Sequence, residues 1–138
     1  MTDDSNSPRI PFLSVEEAAR IGKEYGVPSS MAHLNVFRVM SHHPDLAAAV
    51  SNLLATLLYK GNKLDERLRE LIIMRIAWRT GSVYEWTQHW RVAKRLEIDA
   101  ASVIAVRDWQ KATCLHAADK AVLAATDETI DDGRISDP

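Results

Sequence analysis

Arg69-Glu70-Leu71-Ile72-Ile73-Met74-Arg75-Ile76-Ala77-Trp78-Arg79-Thr80-Gly81-Ser82-Val83-Tyr84-Glu85-Trp86-Thr87-Gln88-His89 reads as two successive helices around a small-residue break. Gly81 fits the C-terminal stop of the first helix and Ser82 the N-cap of the second. Along the pair lie three potential acid-base groups, Glu70, Glu85 and His89. A spacing of four residues puts Glu85 and His89 on one face, about 6 Å of rise apart. Glu70 sits at the edge of a nearly unbroken apolar run, where a carboxylate is costly unless it is paired or working.

Outward from this stretch the chain continues to read as helix. Ser14-Val15-Glu16-Glu17 is a capping-box pattern opening a first helix that Gly26 stops. A second helix is expected from Ser29 or Ser30 to about Ser41, with His42-His43 as a turn. Pro44 suits the first turn of a third helix, with Leu46, Val50, Leu53, Leu54, Leu57 and Leu58 as its apolar face and Gly61-Asn62 as its end. The fourth helix, about Asp65 to Thr80, is apolar on most of its circumference, so it should be central or lie at a subunit interface. A fifth should run from Ser82 to about Leu96, a sixth from the N-cap candidate Asp99 to about Gln110, and a seventh from about Thr113 to Ile130. No segment alternates with period two between turn signals, so no strand is expected. Ser136-Asp137-Pro138 has the look of another helix start, as though the chain were truncated there.

With 138 residues, 46% hydrophobic and 26% charged, the chain suits one soluble domain over 13–138 behind a flexible leader over 1–12. A formal net charge of −2 gives no pull toward nucleic acid or anionic membrane. No apolar run approaches the ~20 residues of a membrane span, and the N-terminus is acidic and polar, so a cytoplasmic location is expected. The single cysteine, Cys114, excludes an internal disulfide and is expected to be a small packed helical residue.

The order Arg-Glu-Leu, apolar helix, small-residue break, Tyr84-Glu85-Trp86-x-x-His89 resembles the carboxymuconolactone decarboxylase family, within the alkylhydroperoxidase D-like (AhpD-like) superfamily. Agreement is best from about Leu64 to Trp109 and extends to Asn35-x-x-x-Val39-Met40-Ser41-His42-His43-Pro44 and Asp119-Lys120-Ala121-Val122-Leu123. The resemblance implies an all-α bundle of about six to seven helices that assembles as a homo-oligomer, a trimer or a hexamer, and a setting in aromatic-compound catabolism. In the redox branch of that superfamily the second helix carries Cys-x-x-Cys-x-x-x-His. Here Ser82, Glu85 and His89 stand at those positions, and disulfide chemistry needs both thiols, so peroxidase activity is disfavoured.

The decarboxylase branch is the closer likeness. It implies a cofactor-free lyase, or a related acid-base enzyme, acting on a small carboxylated lactone or keto acid. Arg69 would bind the substrate carboxylate or position Glu70, and Glu70, Glu85 and His89 would move the proton. Ser82, Tyr84 and Trp86 are further candidates for substrate contact, and Trp86, Trp90, Trp78 and Tyr84 could equally be packing.

Structural roles stand beside each of these. Ser82 and Glu85 form a capping-box pattern of their own, Glu70 could pair with Arg67 or with an arginine of a neighbouring helix, and His89 could be a satisfied core histidine. His42-His43 beside Pro44 reads as a helix entry, and His33 and His116 as surface or packing residues. One Glu-x-x-x-His without a second copy argues against a di-iron site, and no glycine-rich loop cradles a phosphate, so neither metal nor cofactor is expected. A non-catalytic helical oligomer with a structural polar cluster is the alternative from another class.

Overall fold

Local capping sets most of the helix boundaries in the computed structural model, which describes residues 8–61 and 63–137. Seven α-helices and two short 3-10 turns are present, with no strand among the described residues. The chain is all-α, and it divides into two compact units, Met1–Asn62 and Lys63–Pro138. The first seven residues of the expected leader, Asn62 of the expected third-helix stop and Pro138 lie outside the described residues.

In the first unit, Ser14 caps α1 (Val15–Tyr25) through a complete capping box, with Glu17 N donating to Ser14 Oγ (3.1 Å) and Ser14 N to the Glu17 carboxylate (3.2 Å). Gly26 ends it at φ 79°, a left-handed conformation that favours glycine. The expected single helix from Ser29 to Ser41 is instead two pieces, a 3-10 turn over Ser29–His33 and α2 (Asn35–Met40). Leu34 between them is extended (φ −84°, ψ 126°), and the break lets Met31, Leu34 and Met40 pack around the buried Val27, Phe37 and Ala47.

The two adjacent histidines serve the entry to α3 (Pro44–Leu58): His43 Nδ1 accepts from Leu46 N (3.3 Å), while His42 Nε2 lies 2.8 Å from the Pro11 carbonyl. The packed strip of α3 is Ala47, Val50, Ser51 and Leu54, at the i, i+3, i+4, i+7 spacing of one face. Leu46, Leu53 and Leu57, expected on the apolar face, occupy the neighbouring strip and are exposed.

In the second unit, Asp65 caps α4 (Glu66–Thr80) by accepting from Arg67 N and Leu68 N, and Gly81 stops it at φ 67°. Then follow α5 (Val83–Arg95), α6 (Ala100–Ala105) capped by Asp99, a 3-10 turn over Val106–Asp108 in place of the last turns expected of the sixth helix, and α7 (Ala117–Asp132). The start of α7 lies four residues beyond the expected one, because His116 N donates to Asp119 and fixes the helix entry there (3.0 Å). Cys114 therefore falls in the preceding bend, exposed rather than packed in a helix. The chain after α7 folds back, with Ser136 N and Oγ both donating to Glu128 at 2.8 Å. These bonds hold the Glu128 carboxyl below its ordinary value. Ser136 is a turn anchor and starts no helix among the described residues.

As expected, α4 is central to its unit, packing against both α5 and α7. Its buried surface is mixed, however: Leu71, Met74 and Ala77 share it with Arg69, Glu70 and Arg75, while Ile76 and Trp78 are exposed. The charges are matched by α7. Arg67 pairs with Asp119 (2.9 Å), Arg75 grips Asp127 with two bonds (2.7 and 2.8 Å), and Arg79 reaches both Asp127 (2.9 Å) and Asp131. Arg67 is thus committed to Asp119 and does not pair with Glu70. Arg75 also donates to the carbonyls of Val106 and Arg107, and Trp109 Nε1 donates to Asp127 (2.9 Å).

Burial pushes the Asp127 carboxyl up, but the hydrogen bonds from Arg75, Trp109 and Arg79 outweigh it and hold the group below its ordinary value of 3.8. Burial likewise opposes, and Arg67 and the His116 amide overcome, at Asp119. A carboxyl lowered on folding contributes stability above its unfolded pKa, and that contribution is lost as pH falls through the lowered value. All four tryptophans lie in this unit, so their fluorescence reports its unfolding. Asp127→Asn is expected to cost roughly 3 kcal/mol at neutral pH by leaving Arg75 without its charge partner. Denaturant titrations followed by tryptophan emission should show that gap between variant and wild type narrowing below pH 3.8; a pH-independent gap would contradict the assignment.

Candidate functional site

Glu70 leaves α4 on the side facing α5, with its side chain 2% exposed. One carboxylate oxygen, Oε1, accepts from Arg69 Nε (3.2 Å), and the other, Oε2, lies 2.7 Å from His89 Nδ1. On the far side of the imidazole, Nε2 stands 3.6 Å from the Glu85 carboxylate, which is 49% exposed. The four side chains thus run in line from a buried ion pair to the surface: Arg69, Glu70, His89, Glu85.

Each position follows from the helices. Gly81 and Ser82 reverse the chain between α4 and α5, which brings His89 back beside Glu70 from nineteen residues away. Ser82 Oγ accepts from Glu85 N (3.3 Å), so the Ser82 half of the expected capping box forms. The Glu85 carboxylate is turned along the helix to His89 instead of back to the Ser82 amide.

A carboxylate can only accept hydrogen bonds, and at Glu70 one oxygen already accepts from Arg69 Nε. His89 Nδ1 must then be the donor, so in the neutral imidazole Nε2 is the unprotonated nitrogen. A carboxylate that fixes the tautomer and leaves the other ring nitrogen to work is the orienting element of a general acid-base pair. The 3.6 Å separation between Nε2 and Glu85 exceeds a hydrogen bond.

The other expected contact residues are placed differently. Arg69, with its side chain 9% exposed, has its Nε committed to Glu70 and its Nη2 3.9 Å from Glu66. Ser82 is occupied by the cap. The Tyr84 hydroxyl is buried with no hydrogen-bond partner among the described residues. Trp86 belongs to a row of indoles, its ring centroid 6.0 Å from Trp78 and 6.4 Å from Trp90. Neither of the two surface cavities described, of about 240 and 400 Å³, is lined by Glu70, Glu85 or His89. No three His, Cys, Asp or Glu side chains converge as a metal ion would require, among the described residues.

The match to a family model decides the membership: the model for the carboxymuconolactone decarboxylase family covers residues 44–128, more than half of the chain. The chain belongs to the carboxymuconolactone decarboxylase family. The matched region includes the whole Arg69–Glu70–His89–Glu85 line, within an all-α fold of the AhpD-like kind. No curated protein and no solved structure gives a significant match. The positions that the redox branch fills with a thiol pair hold Ser82 and Glu85 here, and Cys114 sits in the exposed bend before α7.

The tautomer can be read directly. Long-range proton–nitrogen NMR correlations on neutral His89 are expected to place the proton on Nδ1 in the wild type. Glu70→Ala should move the proton to Nε2 and cost roughly 1–3 kcal/mol, the penalty for unsatisfied buried polar groups. A wild-type proton on Nε2 would remove Glu70 as the orienting group.

Proposed function

We propose that this family member is a cofactor-free acid-base enzyme, a lyase of the decarboxylase type or a close relative, acting on a small carboxylated lactone or keto acid. The observation that carries the reading is the Glu70–His89 hydrogen bond of 2.7 Å, buried at its carboxylate end and open at the other. In this reading loss of CO₂ leaves an electron pair on the substrate carbon, conjugated with its carbonyl. Protonated His89 delivers a proton from Nε2 to that carbon, and the C–H bond formed replaces the C–C bond broken. Glu85, half exposed beside Nε2, returns the imidazole to its protonated form from solvent.

Glu70 orients the imidazole through Nδ1, and Arg69 is a positioning residue that holds the Glu70 carboxylate through its Nε. Ser82 contributes by starting α5, and Tyr84 and Trp86 remain proposed substrate contacts. A soluble, homo-oligomeric protein, a trimer or hexamer, is part of the same proposal; no helix among the described residues is long and apolar enough to cross a membrane.

A second reading, a structural polar cluster in a non-catalytic oligomer, is favoured by one observation: neither of the two described cavities is lined by His89. Thermal-shift measurements with small lactone carboxylic acids and keto acids separate the two. A ligand at a hundredfold excess over its Kd stabilises the folded protein by about 2.7 kcal/mol. The catalytic reading expects at least one acid to raise the midpoint of the wild type, with the rise shrinking in both Glu85→Gln and His89→Gln. If none does, or if the rise is the same in both variants, the structural reading takes its place.

A further inference from the structure

The larger of the two cavities, about 400 Å³, is lined by Trp86, Thr87, Trp90, Arg91, Ile104 and Arg107, all within the second unit. That size is in the range that holds small ligands, ~300–1,000 Å³. Two of the residues lining it are aromatic, Trp86 and Trp90, whose rings stack with 22° between their planes. Two of its lining residues are arginines, Arg91 and Arg107, and like Arg20, Arg38 and Arg95 they have no carboxylate partner among the described residues, so their donors are open to an anion. Asp108, next to Arg107 in sequence, is taken by Lys111 (3.1 Å). Arg107 is also held in place, its Nε donating to the Ile104 carbonyl (3.3 Å) and its guanidinium lying 5.3 Å from the Trp78 ring centre.

We propose that this cleft binds a planar aromatic carboxylate, its ring against the Trp86–Trp90 pair and its carboxylate against Arg91 and Arg107. A guanidinium suits a carboxylate because its planar fork of donors matches the two oxygens, and an indole face suits a flat ring. The cleft is distinct from the His89 couple. Three rows run along α5, each of two residues four apart: Glu85 and His89, Trp86 and Trp90, Thr87 and Arg91. Successive rows are offset by one residue, about 100° around the helix, so the tryptophan row divides the acid-base row from the arginine row. The site therefore stands whether or not His89 is catalytic.

The test is calorimetric titration of the full-length chain with 2-naphthoate, alongside the neutral 2-naphthalenemethanol and acetate. Saturable naphthoate binding is expected, tighter than for the alcohol or for acetate, and weakened at least threefold in each of Arg91→Gln and Arg107→Gln. Both arginines are exposed, so these variants should keep the wild-type helical circular dichroism. His89→Gln is expected to bind naphthoate as the wild type does, whatever becomes of the reaction proposed above. No saturable binding, equal affinity for the alcohol, a smaller change in either arginine variant, or loss of binding in His89→Gln would each overturn the proposal.

Discussion

The double hydrogen bond from Arg75 to Asp127 is the interaction on which the second unit depends. It is buried, and its arginine also ties the carbonyls of Val106 and Arg107, so one side chain joins α4, α7 and the turn after α6. A guanidinium placed there is costly without hydrogen-bond partners, and four bonds to a carboxylate and two carbonyls answer this one. Around it the two helices carry matching strips. Arg67, Leu71, Arg75 and Arg79 on α4 stand four apart along one line, and Asp119, Leu123, Asp127 and Asp131 do the same on α7. The Arg67–Asp119, Arg75–Asp127 and Arg79–Asp131 pairs each span 52 positions, which requires the helices to run in the same direction, and Arg79 also reaches one turn back to Asp127. Leu71 and Leu123, both fully buried, occupy the rung between the charged ones.

The other side of α4 presents the acid-base line. With one helix holding α7 through Arg67, Arg75 and Arg79 and holding His89 through Glu70, the site is mounted on the most constrained element of its unit. That is the condition under which a 2.7 Å hydrogen bond can orient an imidazole without relying on a loop. Glu85, half exposed, is the most exposed member of the line.

Much of the helical plan was legible because its signals are local. Ser14, Ser82 and Asp99 cap the helices expected of them, and Gly26 and Gly81 end theirs in the left-handed conformation. Misreadings arose where packing overrode periodicity: Leu34 extends to serve the core, and His116 starts α7 later than its apolar pattern suggests. In the site, the spacing of Glu85 and His89 placed them on one face, whereas the bond between Glu70 and His89 joins two helices and had no counterpart in local spacing. The matched Arg-Leu-Arg-Arg and Asp-Leu-Asp-Asp strips were visible as letters, yet nothing within either helix indicated that they face each other.

The constant 52-residue separation also bears on how the unit assembles. Each rung closes a loop containing all of α5 and α6, so its entropic cost falls due before any of its bonds are made. The pairing of α4 with α5 across Gly81 and Ser82 is far more local and carries no such cost. An order of events in which that pair condenses first and α7 docks last makes the charged strips the latch of the folding reaction. Interactions that form after the rate-limiting barrier set how fast a protein opens more than how fast it folds. By this reasoning Arg67, Arg75 and Arg79 govern the lifetime of the native state.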